Sequence, residues 1–300
     1  MSYVVDVRGL TKAYGDMKAV DGVTFQMEAG KIYGLLGRNG AGKTTIMHML
    51  TAQLFATSGE LSVFGEHPYE NSRVLEQMCF IKESQKYPDT FRVIDVLEVS
   101  ASLYPHWDRD FAHSLVEEFN LPLKRRMKKL SRGMLSSVGI IVGLASRAPL
   151  TIFDEPYLGL DAVARTLFYD RLLEDYALHP RTVVLSTHLI DEVSKLLEHV
   201  MLLHRGKLLL NEDTEQLRGR AFTVAGSAEQ VAMFLEGKDI LHRETLGGLV
   251  TATVLSRNGG ELVDRKHAQA LGLELGPVTL QQLVVNLTQR ADSRKEAIAR

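Results

Sequence analysis

Gly37-Arg38-Asn39-Gly40-Ala41-Gly42-Lys43-Thr44 follows the pattern G-x-x-x-x-G-K-[ST]. It lies between a strand-like apolar run, residues 32–36, and an apolar helical pattern over residues 45–54. That context suits phosphate chemistry. A triphosphate needs many donors in little space, and glycines let backbone N–H groups converge on it without side chains in the way. The N-terminus of the following helix adds a favourable dipole. In such a cradle Lys43 reaches the β- and γ-phosphates, and the Thr44 hydroxyl sits on Mg2+. A plain surface glycine turn would need neither the strand before it nor the helix after it.

A second cluster is Leu150-Thr151-Ile152-Phe153-Asp154-Glu155, an apolar strand that ends in two acids. Ligands bind at the C-terminal ends of strands in a buried parallel sheet. Asp154 is then placed to hold Mg2+ through water, and Glu155 to orient and deprotonate an attacking water as general base. Alone, the pair would read as a strand followed by a solvated turn. The cradle upstream changes that reading. His188 ends a third run, Val183-Val184-Leu185-Ser186-Thr187-His188. A lone histidine at a strand end is usually structural, but this one is expected at the same sheet edge as the cradle and the acids. There it can contact the γ-phosphate and hold the attacking water in line.

The elements that must position these groups alternate. Residues 3–7, 23–27 and 31–36 read as strands separated by turn residues. Residues 93–148 read as mostly helical, with Leu97, Ala101, Tyr104, Phe111, Leu115 and Phe119 at helix-like spacing and Pro105 and Pro122 as breaks. Then follow a strand at 150–153, a helix at 162–177, a strand at 182–186 and a helix at 189–197. A hairpin at 200–203 and 207–210 turns on Arg205-Gly206. The expected class is α/β, with a mainly parallel sheet covered on both faces. The composition shifts near residues 217–220. Residues 1–217 are expected to form the nucleotide domain and 218–300 a small α+β accessory domain: a strand, a helix at 228–235, two strands, then helices. The charged tail from Arg290 is expected to fray.

Composition narrows the class. A formal net charge of -2 lacks the strongly basic balance of a nucleic-acid binder. The single cysteine, Cys79, cannot form an internal disulfide, which suits a reducing cytosol. No basic–apolar leader opens the chain, and no apolar run approaches the roughly 18 residues a span needs. The longest, residues 138–145, stops just short of Arg147. The expectation is a cytoplasmic protein without a span of its own.

Further motifs carry a resemblance. Leu130-Ser131-Arg132-Gly133-Met134 resembles the Leu-Ser-Gly-Gly-Gln signature of ABC transporter nucleotide-binding subunits, one helix ahead of the Asp154–Glu155 strand. Gly159-Leu160-Asp161 looks like their D-loop, and His188 matches their switch histidine. Tyr14 matches the aromatic that stacks on adenine; otherwise it is an ordinary strand residue. The resemblance covers about the first 215 residues. It implies the P-loop ABC-ATPase fold, a RecA-like core with an antiparallel β-subdomain and a helical subdomain. It implies ATP and Mg2+ as ligands, with nucleotide contacts from Tyr14, from Gly37 through Thr44 and from Thr45. In the loop between subdomains the family places a glutamine that contacts Mg2+ and the membrane subunit. Counting back from Val93 puts Glu83 at that position and Gln85 two residues late. An acid also suits a hard cation. The alternative is that Gln85 serves and Glu83 pairs with Lys82 or solvent.

In this family the signature of one chain completes the ATP site of another. Ser131 and Gly133 would face a γ-phosphate held by the partner's Lys43, with Asp161 crossing between chains. The implied partners are a second ATPase subunit, head to tail, and a membrane-spanning permease. Arg132 stands where the family has glycine and Met134 where it has glutamine, so homodimer and heterodimer both stay open. Tyr104-Pro105-His106-Trp107-Asp108 and Val278-Thr279-Leu280-Gln281-Gln282-Leu283 resemble bacterial exporters of drugs or antimicrobial peptides. Trp107 as core and the tail helix as a cap are the plainer readings. Two other functions remain: a non-transport ABC ATPase, which usually carries two cassettes or a long heptad insertion, and a module that binds ATP without turnover. Intact Lys43, Asp154, Glu155 and His188 argue against the second.

Overall fold

The computed structural model describes residues 3–83, 85–256 and 260–298. Ser84 of the inter-subdomain loop and the last two residues of the tail lie outside the described residues.

Along the chain come β1 (Tyr3–Tyr14), β2 (Met17–Glu28), β3 (Ile32–Leu36), α1 (Lys43–Leu50), β4 (Ser58–Val63), α2 (Ser72–Leu75) and β5 (Met78–Ile81). Next are α3 (Val93–Leu103), α4 (Arg109–Glu118), α5 (Arg132–Ala145), β6 (Leu150–Asp154), α6 (Ala162–Leu178), β7 (Thr182–Thr187) and α7 (Ile190–Val193). Then follow β8 (His199–His204), β9 (Lys207–Asp213), α8 (Thr214–Arg220), β10 (Ala221–Ser227), α9 (Ala228–Leu235) and β11 (Ile240–Leu246). The chain closes with β12 (Leu249–Leu255), α10 (Glu261–Ala270), β13 (Glu274–Pro277) and α11 (Leu280–Ile298). These elements form two compact units, one of residues 1–188 and 196–211, the other of residues 189–195 and 212–300. The composition shift at 217–220 falls inside α8.

In the first unit a six-stranded sheet has the order β5-β6-β7-β3-β8-β9, and a three-stranded antiparallel sheet the order β2-β1-β4. Strands β5, β6, β7, β3 and β8 run parallel. Every residue of β3, β6 and β7 is buried, as expected for strands covered on both faces. Alternation divides the two faces. Ile152 and Val184 join the core that contains Ile46 and Met47 of α1 and Val5 and Phe25 of the antiparallel sheet. Phe153 points the other way, 5.2 Å from the Phe168 ring of α6 and so close to α5 that a Cβ on Gly143 would lie 2.4 Å from it. The strand order brings the C-terminal ends of β3, β6 and β7 side by side, with β7 in the middle.

The expected helix at 189–197 shrinks to α7. Leu196 and Leu197 leave the helical path, and Leu197 packs onto Gly34 of β3, filling the space a side chain there would occupy. Helix-like spacing thus served a turn.

The second unit is an antiparallel sheet, β11-β12-β10-β13, in βαββαβ order. Phe222 and Val224 of β10 and Val250, Ala252 and Val254 of β12 alternate inward onto Val231 and Phe234 of α9 and Ala268 of α10. Strand β13 was not expected. It has four residues with no buried side chain, and its pairing with the edge of β10 creates it. Helix α11 continues to Ile298, through the stretch where fraying was expected. Among the described residues no helix is long and apolar enough to cross a membrane.

Candidate functional site

Helix α1 starts at Lys43, capped by Gly42 at φ 109°. That left-handed backbone favours glycine, and a Cβ there would meet the Ala19 carbonyl oxygen at 2.6 Å. The turn holds Lys43 pointing inward, only 6% exposed. Its Nζ donates to the Gly37 carbonyl at 2.7 Å and lies 3.4 Å from Glu155 Oε1. The Thr44 hydroxyl donates to Asp154 Oδ2 at 2.8 Å, which joins α1 to the end of β6. Around the turn Arg38, Asn39 and Gly40 are exposed, Ala41 is buried and Thr45 is half-buried.

Glu155 follows β6 in a left-handed conformation, φ 49°, and its N–H donates to the Ser186 carbonyl of β7 at 3.1 Å. A non-glycine residue held there is uncommon and reports a constrained site. Its carboxylate has two different sides. Oε2 lies 2.9 Å from His188 Nδ1 and accepts the Tyr157 hydroxyl. Oε1 is buried without a hydrogen bond, and so is Asp154 Oδ1. Burial pushes the Glu155 carboxyl above its ordinary 4.5, outweighing the pull of Lys43 and His188. The structure therefore brings Gly37, Lys43, Thr44, Asp154, Glu155 and His188 together.

Among the described residues Ser131, Gly133, Asp161, Glu83 and Tyr14 make no hydrogen bond or ion pair to this cluster. Ser131 caps α5, accepting from the Met134 N–H at 3.2 Å, and Asp161 caps α6, accepting from the Ala164 N–H at 2.8 Å. A Cβ on Gly133 would lie 2.5 Å from the Gly159 carbonyl oxygen, and the Ser136 hydroxyl donates to the Leu158 carbonyl at 2.7 Å. Ser131, Gly133 and Asp161 thus form one knitted patch. Glu83 pairs with Arg132 at 3.3 Å, both exposed. Tyr14 is half-exposed at the end of β1, with Lys12 Nζ 5.1 Å from its ring centre.

The two exporter-like motifs have local structural work. Asp108 caps α4 through the Phe111 N–H and pairs with Arg147 at 2.7 Å. Thr279 and Gln282 cap α11 reciprocally.

Tyr157 and Thr187 were missed. Tyr157 is 3% exposed, and its hydroxyl meets Glu155, His188 and Thr187 together. The one signal available was a large aromatic in the tight turn between the paired acids and Gly159.

Among the described residues no group of three His, Cys, Asp or Glu side chains could hold a metal by itself. The Thr44 hydroxyl and the Asp154 carboxylate do fit Mg2+, which commonly takes one or two protein oxygens and completes its shell with phosphates and water. The orphaned Asp154 Oδ1 is a suitable donor. A cleft of about 1220 Å3 beside His106, Arg147 and Pro180 contains none of the site residues. Hydrogen-bond geometry locates the site here, and cavity size does not.

Residues 20–158 match the family model described as ABC transporter. The bacitracin transport ATP-binding protein BcrA of Bacillus licheniformis is 33% identical over 224 residues, 73% of each chain. The Nod factor export ATP-binding protein I of Rhizobium meliloti is 32% identical over 212 residues, 69% of this chain and 63% of that one. A solved ATP-binding subunit of an ABC transporter superposes with a TM-score of 0.65 at 25% identity, over 72% of this chain and 92% of the other.

Proposed function

The chain belongs to the ATP-binding proteins of ABC transporters, and on that premise we propose that it drives export through a separate membrane-spanning partner by ATP-dependent dimerisation. It is an ATP-hydrolysing enzyme, and the family works with permease partners. The export direction draws support from relatives named for bacitracin transport and Nod factor export.

The observation that carries the mechanism is the Glu155 carboxylate: buried, raised in proton affinity, and flanked by Lys43 and His188. In this reading Lys43 and the backbone N–H groups from Gly37 to Thr45 bind the phosphates, and Tyr14 stacks on adenine. Thr44 and Asp154 would hold Mg2+, with Glu83 nearby, and the ion when bound neutralises phosphate charge. Glu155 takes a proton from the attacking water while His188 orients it. The new bond forms from water oxygen to the γ-phosphorus, the bond to the bridging oxygen breaks, and ADP leaves with that electron pair.

Ser131, Gly133 and Asp161 complete the site of a second chain. The lack of any hydrogen bond or ion pair from them to this chain's own cluster among the described residues, and the tight Gly133–Gly159 contact, support that role. Residues 1–217 act as the nucleotide domain at the cytoplasmic face of the membrane. Residues 218–300 act as an accessory domain with a regulatory or dimer-stabilising role.

Glu155→Gln tests the core of this proposal. The variant should bind ATP normally, lose about 10²–10⁴-fold in turnover, and accumulate a dimer on size-exclusion chromatography with Mg-ATP. Hydrolysis at the parental rate would remove Glu155 as the base.

A further inference from the structure

The reading of Glu155 as base leaves open which carboxylate oxygen takes the proton, and Tyr157 bears on this. Its hydroxyl accepts the Thr187 hydroxyl at 3.0 Å and the His188 backbone N–H at 3.2 Å. Those two donors occupy both lone pairs of the phenol, so its one proton must be given away. Two acceptors compete for it, Glu155 Oε2 and, at 3.0 Å, His188 Nδ1. His188 Nδ1 itself lies 2.9 Å from the same Oε2. One arrangement gives both donors an acceptor and leaves neither Oε2 nor Nδ1 facing a bare lone pair: Tyr157 O–H and His188 Nδ1–H both donate to Glu155 Oε2.

We infer that Tyr157 is a positioning residue that binds Glu155 and His188 into one hydrogen-bonded unit and leaves Glu155 Oε1 as the proton-accepting oxygen. An oxygen that already receives two donors is a poor third-proton acceptor, whereas Oε1 is buried without a hydrogen bond and has only the Lys43 ammonium beside it, at 3.4 Å. The same arrangement sets the imidazole tautomer, with the proton on Nδ1 and the Nε2 lone pair left for a ligand. Tyr157 is itself held in place. It is 3% exposed, its carbonyl accepts the Leu160 N–H at 3.0 Å, and its ring stands edge-on to His188 with centres 5.7 Å apart. This inference rests on Glu155 as base for its kinetic consequence, but its geometry can be tested without turnover.

The first arm is nitrogen NMR on the unaltered protein with labelled histidine, at a pH well above the imidazole range, with His188 assigned by its loss in His188→Gln. Nδ1 should carry the proton. A bare Nδ1 would mean that Tyr157 donates to the imidazole instead, and the assignment falls. The second arm is kinetic. Tyr157→Phe keeps the ring and should lower kcat about tenfold while KM for ATP stays within about twofold. A raised KM with unchanged kcat would make Tyr157 a binding or packing residue. The third arm combines variants: adding Tyr157→Phe to Glu155→Gln should slow the residual rate by less than about twofold, because both act through one group. A full further tenfold loss would place the tyrosine's action elsewhere. If Glu155→Gln alone turns over at the parental rate, the base assignment fails, while the NMR arm still decides the hydrogen-bond unit.

Discussion

Two buried carboxylates, one in each unit, have opposite chemistry. Glu155 is 6% exposed and Asp264 of α10 is 8% exposed, so burial does not distinguish them. Asp264 is fully partnered: Oδ1 meets Lys238 Nζ and Oδ2 accepts the Ser256 hydroxyl at 2.6 Å. Burial pushes its carboxyl up, but the hydrogen bonds from Lys238 and Ser256 outweigh that and leave it below its ordinary 3.8. Glu155 has an ammonium at 3.4 Å and an imidazole, yet one oxygen stays unbonded and burial prevails. A buried acid whose oxygens are all satisfied holds structure together. One left partly unsatisfied keeps its capacity to take a proton, and the fold bears the cost.

The lysines beside these acids offer the strongest way to break the comparison. Lys43→Ala should weaken ATP affinity roughly tenfold to hundredfold, since a charged contact to phosphate is worth about 1.5–3 kcal/mol. Lys238→Ala should leave it unchanged. Titration with a fluorescent ATP analogue reads both, and normal affinity in Lys43→Ala would contradict the phosphate role.

Stability should separate the acids in sign. Asp264→Asn removes a partnered buried charge and should destabilise the second unit by about 1–3 kcal/mol. Glu155→Gln removes a charge that burial disfavours and should raise the melting temperature of the first unit. The pH dependences oppose each other as well. The folded protein holds Asp264 ionised more readily than the unfolded chain, so that stabilisation is complete above about 3.8 and is lost as pH falls through the lowered folded value. Glu155 binds its proton more tightly when folded, so stability falls as pH rises from about 4.5 through the raised folded value. Hydrogen exchange followed separately in the two units would measure both, and shifts of the same sign would end the contrast.

The smallest effect concerns Glu83. Its exposed pair with Arg132 adds at most about 1 kcal/mol, so Glu83→Gln should hardly change stability. It should make ATP binding less dependent on Mg2+, while Gln85→Ala has little effect. A magnesium titration of ATP affinity that responds only to Gln85→Ala would transfer the role to that residue.

The groups that converge were legible because each lies in a short contiguous pattern with its own physics. A glycine turn before a helix, acids after an apolar run and a histidine after another can each be read locally, and the alternation of strands with helices implied a parallel sheet. Short strands without apolar content were not legible: β13 exists because β10 offers it an edge, and the helix-like run at 189–197 yields to Leu197 packing on Gly34. What only the tertiary structure decided is which atoms remain free. Strand order places β7 between β6 and β3, so Glu155, Tyr157, Thr187 and His188 compete for the same few protons. Tyr157 takes part because its turn folds back onto that edge, and Gly133 meets Gly159 because two caps abut. Hydrogen-bond saturation depends on every neighbour at once, and residues from separate strands become neighbours only when the sheet forms.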